Sequence, residues 1–416
     1  MCSCKPFLFK FAILFAAFLV LDAVALQAQE VLAVRNAEIY PVTGPVIPSG
    51  VMIVTDGKIT AIGADVSIPD NAKTIDAKGR IVMPGIVENH SHMGMKKLWV
   101  PADLDNNEIS GPINSQLQGI DSIDSTDSAF KIALAAGVTT MNITPGSQTP
   151  NGGWAAILKM RGGTTDDMYY ASGGHKMAIR TTFRDRRIYP TTHMGVASIL
   201  REHLVAAQEY MEAQESATDA DGGATSQKRD AQLESLAKVL KREEVIGIHA
   251  TNPLAMQIAI RLAKEFDLDM FFIHASGLEH MVEETAEAGY PISLGPCFTG
   301  MGREHPRWKA AVKFAELGGK VTIQQDHPDG PQFYIRHAAT MLARNGMSKE
   351  DALKTITINS AELFHLEDKI GSLEVGKDAD FLIMSGEPLE IDTHVEQVFI
   401  EGKEVYNRST GFCVFE

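Results

Sequence analysis

Between about residue 81 and residue 370 the chain repeats one local theme. A short apolar, often β-branched segment is followed by a stretch with helical spacing, then by another apolar segment. The strand candidates are 137–143, 245–249, 270–274, 291–294 and 321–326; the helix candidates are 128–136, 254–265, 279–288 and 309–317. The first helix stops at Gly137, a residue type suited to a helix end. Strands that alternate with helices pair in parallel, and so many units in succession predict a closed sheet. The expected fold is therefore α/β, a (β/α)8 TIM barrel. The polar stretch 216–230, with Gly222-Gly223, interrupts the rhythm and reads as a solvated connector between helical stretches at 194–211 and 231–242.

The two ends are written differently. Segments 31–42 and 51–62 alternate in the β manner, the second around an Asp56-Gly57 turn; segments 380–384 and 395–400 repeat the style, with Glu401-Gly402 as a further turn. Together they predict a small β-sandwich domain built from both termini, 29–80 and 371–416, flanking a barrel at 81–370. Residues 1–28 read as a secretory signal peptide: Lys5 and Lys10, then the apolar run 11–20, then small residues at Ala23, Ala25 and Ala28. The expectation is an exported protein, periplasmic or secreted, with no stable membrane span once the signal is removed. Cys2 and Cys4 would leave with that segment. Cys297 and Cys413 remain, too few for a disulfide framework. The formal charge of −15, with no basic stripe, argues against nucleic acid as a partner. The expected partner is a small molecule or small peptide as substrate; a homo-oligomer stays open.

The chemistry is concentrated at strand ends. His90-Ser91-His92 closes the run from Arg80. Residues two apart on a strand face the same side, so both imidazoles leave it together, as two ligands of one divalent metal must. His249, His274 and Asp326 likewise each close an apolar strand. In a barrel these positions converge on the C-terminal mouth, where catalytic groups are built.

Taken with their flanks, these residues carry a resemblance. The stretch 84–92 (Pro-Gly-Ile-Val-Glu-Asn-His-Ser-His) resembles the opening motif of the amidohydrolase superfamily. Ala136-Gly137-Val138-Thr139-Thr140, Ile248-His249-Ala250, Gln325-Asp326-His327-Pro328, 357–361 and 371–380 extend it over nearly all the chain after residue 28. The nearest group is the imidazolonepropionase-related amidohydrolases. The resemblance implies a metal-dependent barrel that hydrolyses C–N bonds. It makes His90, His92, His249 and Asp326 the metal ligands, with Asp326 also the general base. His274 becomes either a second-metal ligand or a donor to the substrate oxygen. Neutral imidazoles with a carboxylate suit Zn2+ and leave a position for water, whose pKa a metal can lower from about 15.7 to about 7. One or two divalent ions are expected. A second would need a bridging group, and a carbamylated Lys176 is the candidate.

Departures from the pattern matter as much. Glu88 stands where the motif generally has Asp. Asn252, three residues after His249, occupies a position where related deaminases and imidazolonepropionases carry Glu, and an amide cannot shuttle a proton. Three readings follow: a mononuclear hydrolase of amides, cyclic amides or small peptides; a binuclear dipeptidase-like hydrolase using Lys176; and a non-catalytic binding protein on the same fold. His175, His193, His280, His305 and His337 read as solvated or capping histidines. His327 is a further pocket candidate, Gly146 and Gly152-Gly153 read by default as a glycine-rich turn that could touch substrate, and Trp99 and Trp154 read as packing residues.

Overall fold

The computed structural model describes residues 30–97, 105–180, 189–219, 228–298, 301–302 and 304–415. The expected signal peptide, Trp99 and the centre of the 216–230 connector lie outside them.

The N-terminal part contributes five strands: β1 (Val31–Ile39), β2 (Ile47–Thr55), β3 (Lys58–Gly63), β4 (Lys73–Asp76) and β5 (Ile81–Pro84). The barrel strands are β6 (Ile86–Ser91), β7 (Val138–Ile143), β8 (Asn151–Lys159), β9 (Tyr169–Ala178), β10 (Ile246–His249), β11 (Met270–His274), β12 (Ile292–Leu294) and β13 (Val321–Ile323). The C-terminal part adds β14 (Phe381–Met384), β15 (Val395–Ile400), β16 (Lys403–Asn407) and β17 (Phe412–Cys413).

Strands from both ends join one nine-stranded sheet. Its hydrogen bonding forms one connected network rather than two separate sheets. The seam between the ends is the antiparallel pairing of β14 with β5, Phe381 opposite Pro84 through Met384 opposite Ile81. Alternation along β1 and β2 serves two faces. Leu32, Val34, Met52 and Val54 enter one apolar cluster, while Val31, Ala33 and Ile53 enter another. Residues 81–84 therefore belong to this sheet, and the barrel begins at Ile86, slightly later than the alternation suggests. Gly85 is the joint. A Cβ there would fall 2.0 Å from Thr139 Oγ1, so no larger residue lets the two sheets approach this closely.

The second sheet has eight strands in the order β6 to β13 and is a nearly closed, TIM-like barrel. It departs from eight repeated β/α units in one place. β8 is antiparallel to both β7 and β9, and no helix separates it from β7. Its Asn151-Gly152-Gly153 start reads as a turn in the sequence, but these residues open the strand. The edges β6 and β13 meet beyond their regular pairing: Asp326 N–H donates to His90 O (3.2 Å) and His92 N–H to His327 O (3.0 Å). The helices fall close to their expected places, for example Pro253–Phe266 and Arg307–Glu316, and bury their apolar faces around the barrel. The first long helix, His193–Asp219, runs further than the 194–211 stretch suggests. Among the described residues no helix is long and apolar enough to cross a membrane. Cys297 and Cys413 are buried and unpaired with each other.

One buried ion network ties the two sheets together. Lys159, at the end of β8, is fully buried; its Nζ contacts Asp378 and lies 3.1 Å from Asp380 Oδ2 and 3.3 Å from Glu401 Oε1. Asp378 also accepts from the Tyr170 hydroxyl (2.7 Å) and pairs with Lys58.

Candidate metal and active site

His90 lies near the end of β6 and His92 directly after it, both buried. The fixing contacts come from the loop after β7: His92 Nδ1 lies 2.7 Å from Thr144 O, and His90 Nδ1 lies 3.0 Å from Thr144 Oγ1. A carbonyl oxygen only accepts, so His92 Nδ1 carries the proton and its Nε2 is a bare lone pair. That Nε2 faces Asp326 Oδ1 at 3.3 Å, and His90 Nε2 faces the same oxygen at 3.2 Å. His274, at the end of β11, has its Nδ1 2.9 Å from Gly295 O and 3.0 Å from Gln324 Nε2, and its Nε2 lies 3.9 Å from Asp326 Oδ2. Lone pairs from several imidazoles thus converge on a carboxylate. Such an arrangement is repulsive unless a cation is shared between them.

His90, His274 and Asp326 offer ligand atoms that all lie within 4.8 Å of one another. His92 joins through Asp326. His249, at the end of β10, packs edge-on against His274 with ring centroids 4.5 Å apart, and neither of its nitrogens has a hydrogen-bond partner. Burial pushes the His90 and His249 imidazoles well below their usual range and lowers those of His92 and His274, which keeps the rings neutral and fit to ligate. Burial raises the Asp326 carboxyl, and the group falls below the usual carboxylate range only where positive charge is shared with the rings around it, His90 first. Orphaned buried nitrogens, a carboxylate among them and outward partners on the other ring nitrogens are the donor set a divalent metal requires.

Lys176 lies on β9 in register with Gly247, two residues before Ala178 meets His249, so it faces the barrel interior. Its Nζ is buried without a hydrogen-bond partner, and burial pushes the ammonium down to about 7. The expected candidates therefore gather at one end of the barrel. Of the histidines read as solvated or capping, His175 is instead buried on β9, its Nε2 3.3 Å from Ser115 O. His175 packs edge-on against Trp154, away from the interior. His305 Nδ1 accepts from Arg307 N–H (3.2 Å), and His337 Nδ1 lies against Phe333 O. Asn252 caps the helix Pro253–Phe266, its Oδ1 accepting from Ala255 N–H at 2.9 Å.

Glu88 is buried beneath the pair. Its carboxylate accepts from His90 N–H (3.1 Å) and Gln325 N–H (3.1 Å), latching the first barrel strand to the segment that carries Asp326. Burial pushes its carboxyl up to about 8. The longer arm of Glu is what spans this seam. Asn89 holds the same seam from the other side: its Nδ2 donates to Ile323 O and Ser360 Oγ, both at 2.9 Å.

A cavity of about 220 Å³ opens over these groups, lined by His92, His249, His274 and Asp326 together with Lys96, Asn106, Asn107, Gly146, Ser147, Gln148, Arg180 and Asp329. Sequence reasoning singled out Gly146 and missed the remaining polar wall, as well as Thr144, which acts through a backbone oxygen that no side-chain pattern reports.

A family model described as "Amidohydrolase family" matches residues 244–406. The chain is 24% identical to an amidohydrolase, tasK, of Hapsidospora irregularis, over 86% of this chain but only 39% of that protein. It is 24% identical to an L-hydantoinase of Paenarthrobacter aurescens, over 92% of this chain and 90% of that one. It is 26% identical to an imidazolonepropionase of Symbiobacterium thermophilum, over 82% and 84%. Among solved structures, an amidohydrolase from Thermotoga maritima superposes with a TM-score of 0.84 at 30% identity, covering 91% of this chain and all of that one.

Proposed function

The chain belongs to the amidohydrolase superfamily and is a hydrolase of carbon–nitrogen bonds, and from that premise we propose that it opens small cyclic amides at a metal centre held by His90, His92, His249 and Asp326, with His274 beside them. The observation that carries the reading is the set of bare, buried imidazole lone pairs gathered around Asp326. A cyclic amide is favoured by the small cavity and by the likeness to an L-hydantoinase and to imidazolonepropionases.

When bound, a divalent metal supplies Lewis acidity, polarising a carbonyl oxygen and acidifying a water. Zn2+ matches the donors best. The chain's own groups do the rest. Asp326 takes a proton from water as the water oxygen adds to the carbonyl carbon, then hands it to the ring nitrogen as the C–N bond breaks. The products are a carboxyl and an amine on one opened molecule, so the atoms balance. His274, kept neutral by burial, serves either as a ligand or as a donor to the substrate oxygen. Asn252, occupied as a helix cap, takes no part.

A second reading, a binuclear site bridged by carbamylated Lys176, is favoured by one observation: a buried amine with no partner, held near neutrality by its surroundings. Export, on the strength of residues 1–28, is likewise our proposal, checked by cell fractionation and N-terminal sequencing of the mature protein.

The test is turnover of hydantoins and other cyclic amides, with dipeptides and N-acyl amino acids for comparison, by metal-loaded protein and by Asp326→Asn. Ring opening by the former, and a loss of about 10²–10⁴ in kcat with metal retained in the latter, supports the proposal. Metal-loaded protein that hydrolyses no amide overturns it.

A further inference from the structure

The cavity wall carries two cations, Lys96 and Arg180, and two carboxylates, Asp326 and Asp329. Lys96 is paired with Asp329 at 2.9 Å, and Asp326 is surrounded by imidazoles. Arg180 is different: it lines the cavity with His249 and His274, is exposed, and has no acidic or hydrogen-bonding partner among the described residues. Its direction follows from the strand. Met177 and Ile179 of β9 and its extension are buried in the apolar cluster outside the barrel, and Ile179 N–H continues the ladder to His249 O at 3.0 Å. Residues 176, 178 and 180 therefore share the opposite, inward side, with Lys176 deepest and Arg180 at the rim.

Resting on the hydrolase reading, we propose that Arg180 anchors a carboxylate carried by the substrate, so that this site selects small amides bearing an acidic group away from the scissile bond. A guanidinium presents paired N–H donors that match a carboxylate, which an ammonium cannot reproduce. A guanidinium without a partner among the described residues, on the wall of a small cavity, attracts anions even before contact. Asn107 and Gln148 line the same cavity and keep that wall polar without adding charge.

Two matched pairs test this: hydantoin-5-acetate against hydantoin-5-acetamide, and N-acetylglycine against N-acetylglycinamide. Metal-loaded wild-type protein, Arg180→Gln and Arg180→Lys are compared on each. The expected result is a preference of wild type for the acid of about 100-fold in kcat/KM, lost in Arg180→Gln chiefly through KM and partly restored in Arg180→Lys. The neutral partner changes less than about threefold. Calorimetric binding of hydantoin-5-acetate and N-acetylglycine to Asp326→Asn and to Asp326→Asn/Arg180→Gln supplies a readout without turnover, with about 100-fold weaker binding expected in the double variant. Equal use of acid and amide by wild type, or equal losses on both in Arg180→Gln, overturns the anchor and leaves the hydrolase reading standing. Absence of turnover with Arg180-dependent binding of the acids retained overturns the hydrolase reading instead. Absence of both overturns the two together.

Discussion

Replacing Lys159 by Met tests the junction on which the barrel and the terminal sheet depend. The side chain is fully buried and its ammonium sits among Asp378, Asp380 and Glu401. Methionine keeps most of the stem volume, so the loss is one of charge rather than packing. The three carboxylates are not left equally. Asp378 keeps Lys58 and the Tyr170 hydroxyl, and half-exposed Glu401 keeps Arg161 at 2.8 Å. Asp380, fully buried, keeps only the Glu401 N–H at 2.9 Å. Breaking a buried pair by removing one partner costs about 3–5 kcal/mol, and Asp380 should account for most of it. The pH dependence follows from the direction of its shift. Burial already raises the Asp380 carboxyl above its ordinary value, and Lys159 opposes that rise. Without Lys159 the folded-state pKa rises further. The penalty is then fully present above that pKa and vanishes as pH falls toward the unfolded value near 4. Urea unfolding followed by far-ultraviolet circular dichroism at pH 7, 6 and 5 measures it. The gap from wild type should be largest at pH 7 and shrink on acidification. A gap under about 1 kcal/mol at pH 7, or one that widens in acid, refutes the reasoning.

Thr144→Val removes the hydroxyl beside His90 Nδ1 while leaving the carbonyl that holds His92. Metal affinity, measured by chelator competition, should weaken about 10–100-fold, the usual effect of losing an outer partner of a ligating histidine; an unchanged affinity contradicts the assigned role. Asn252→Ala should cost about 1 kcal/mol of stability through the lost helix cap and leave kcat/KM within about twofold. A loss of activity of 100-fold there would return Asn252 to the chemistry.

The site was largely legible before the fold, for a simple reason. His90, His92, His249, His274 and Asp326 each follow an apolar strand, and a barrel gathers strand ends whatever lies between them. Three features stayed hidden because their causes are not local. β8 opens with Asn151-Gly152-Gly153, a turn-like composition, and only pairing with both neighbours makes it a strand. Asp326 lies three residues past the end of β13 with a left-handed backbone, φ 55°, so register alone does not aim its carboxylate. Lys159 ends an apolar strand much as His249 does, yet its partners lie more than 200 residues away and make it a tie between sheets rather than a site residue. Arg180 falls between these cases: its parity with Lys176 is visible in the sequence, but its lack of a partner among the described residues is visible only in three dimensions.

Metal content of the purified protein, counted by plasma mass spectrometry beside His90→Ala and His249→Ala, bears most directly on the central claim. The account predicts at least one equivalent of divalent metal per chain in the wild type, two if Lys176 bridges, and a fall toward zero in both variants while the fold persists. Wild-type protein that carries no metal and takes up none on addition contradicts it.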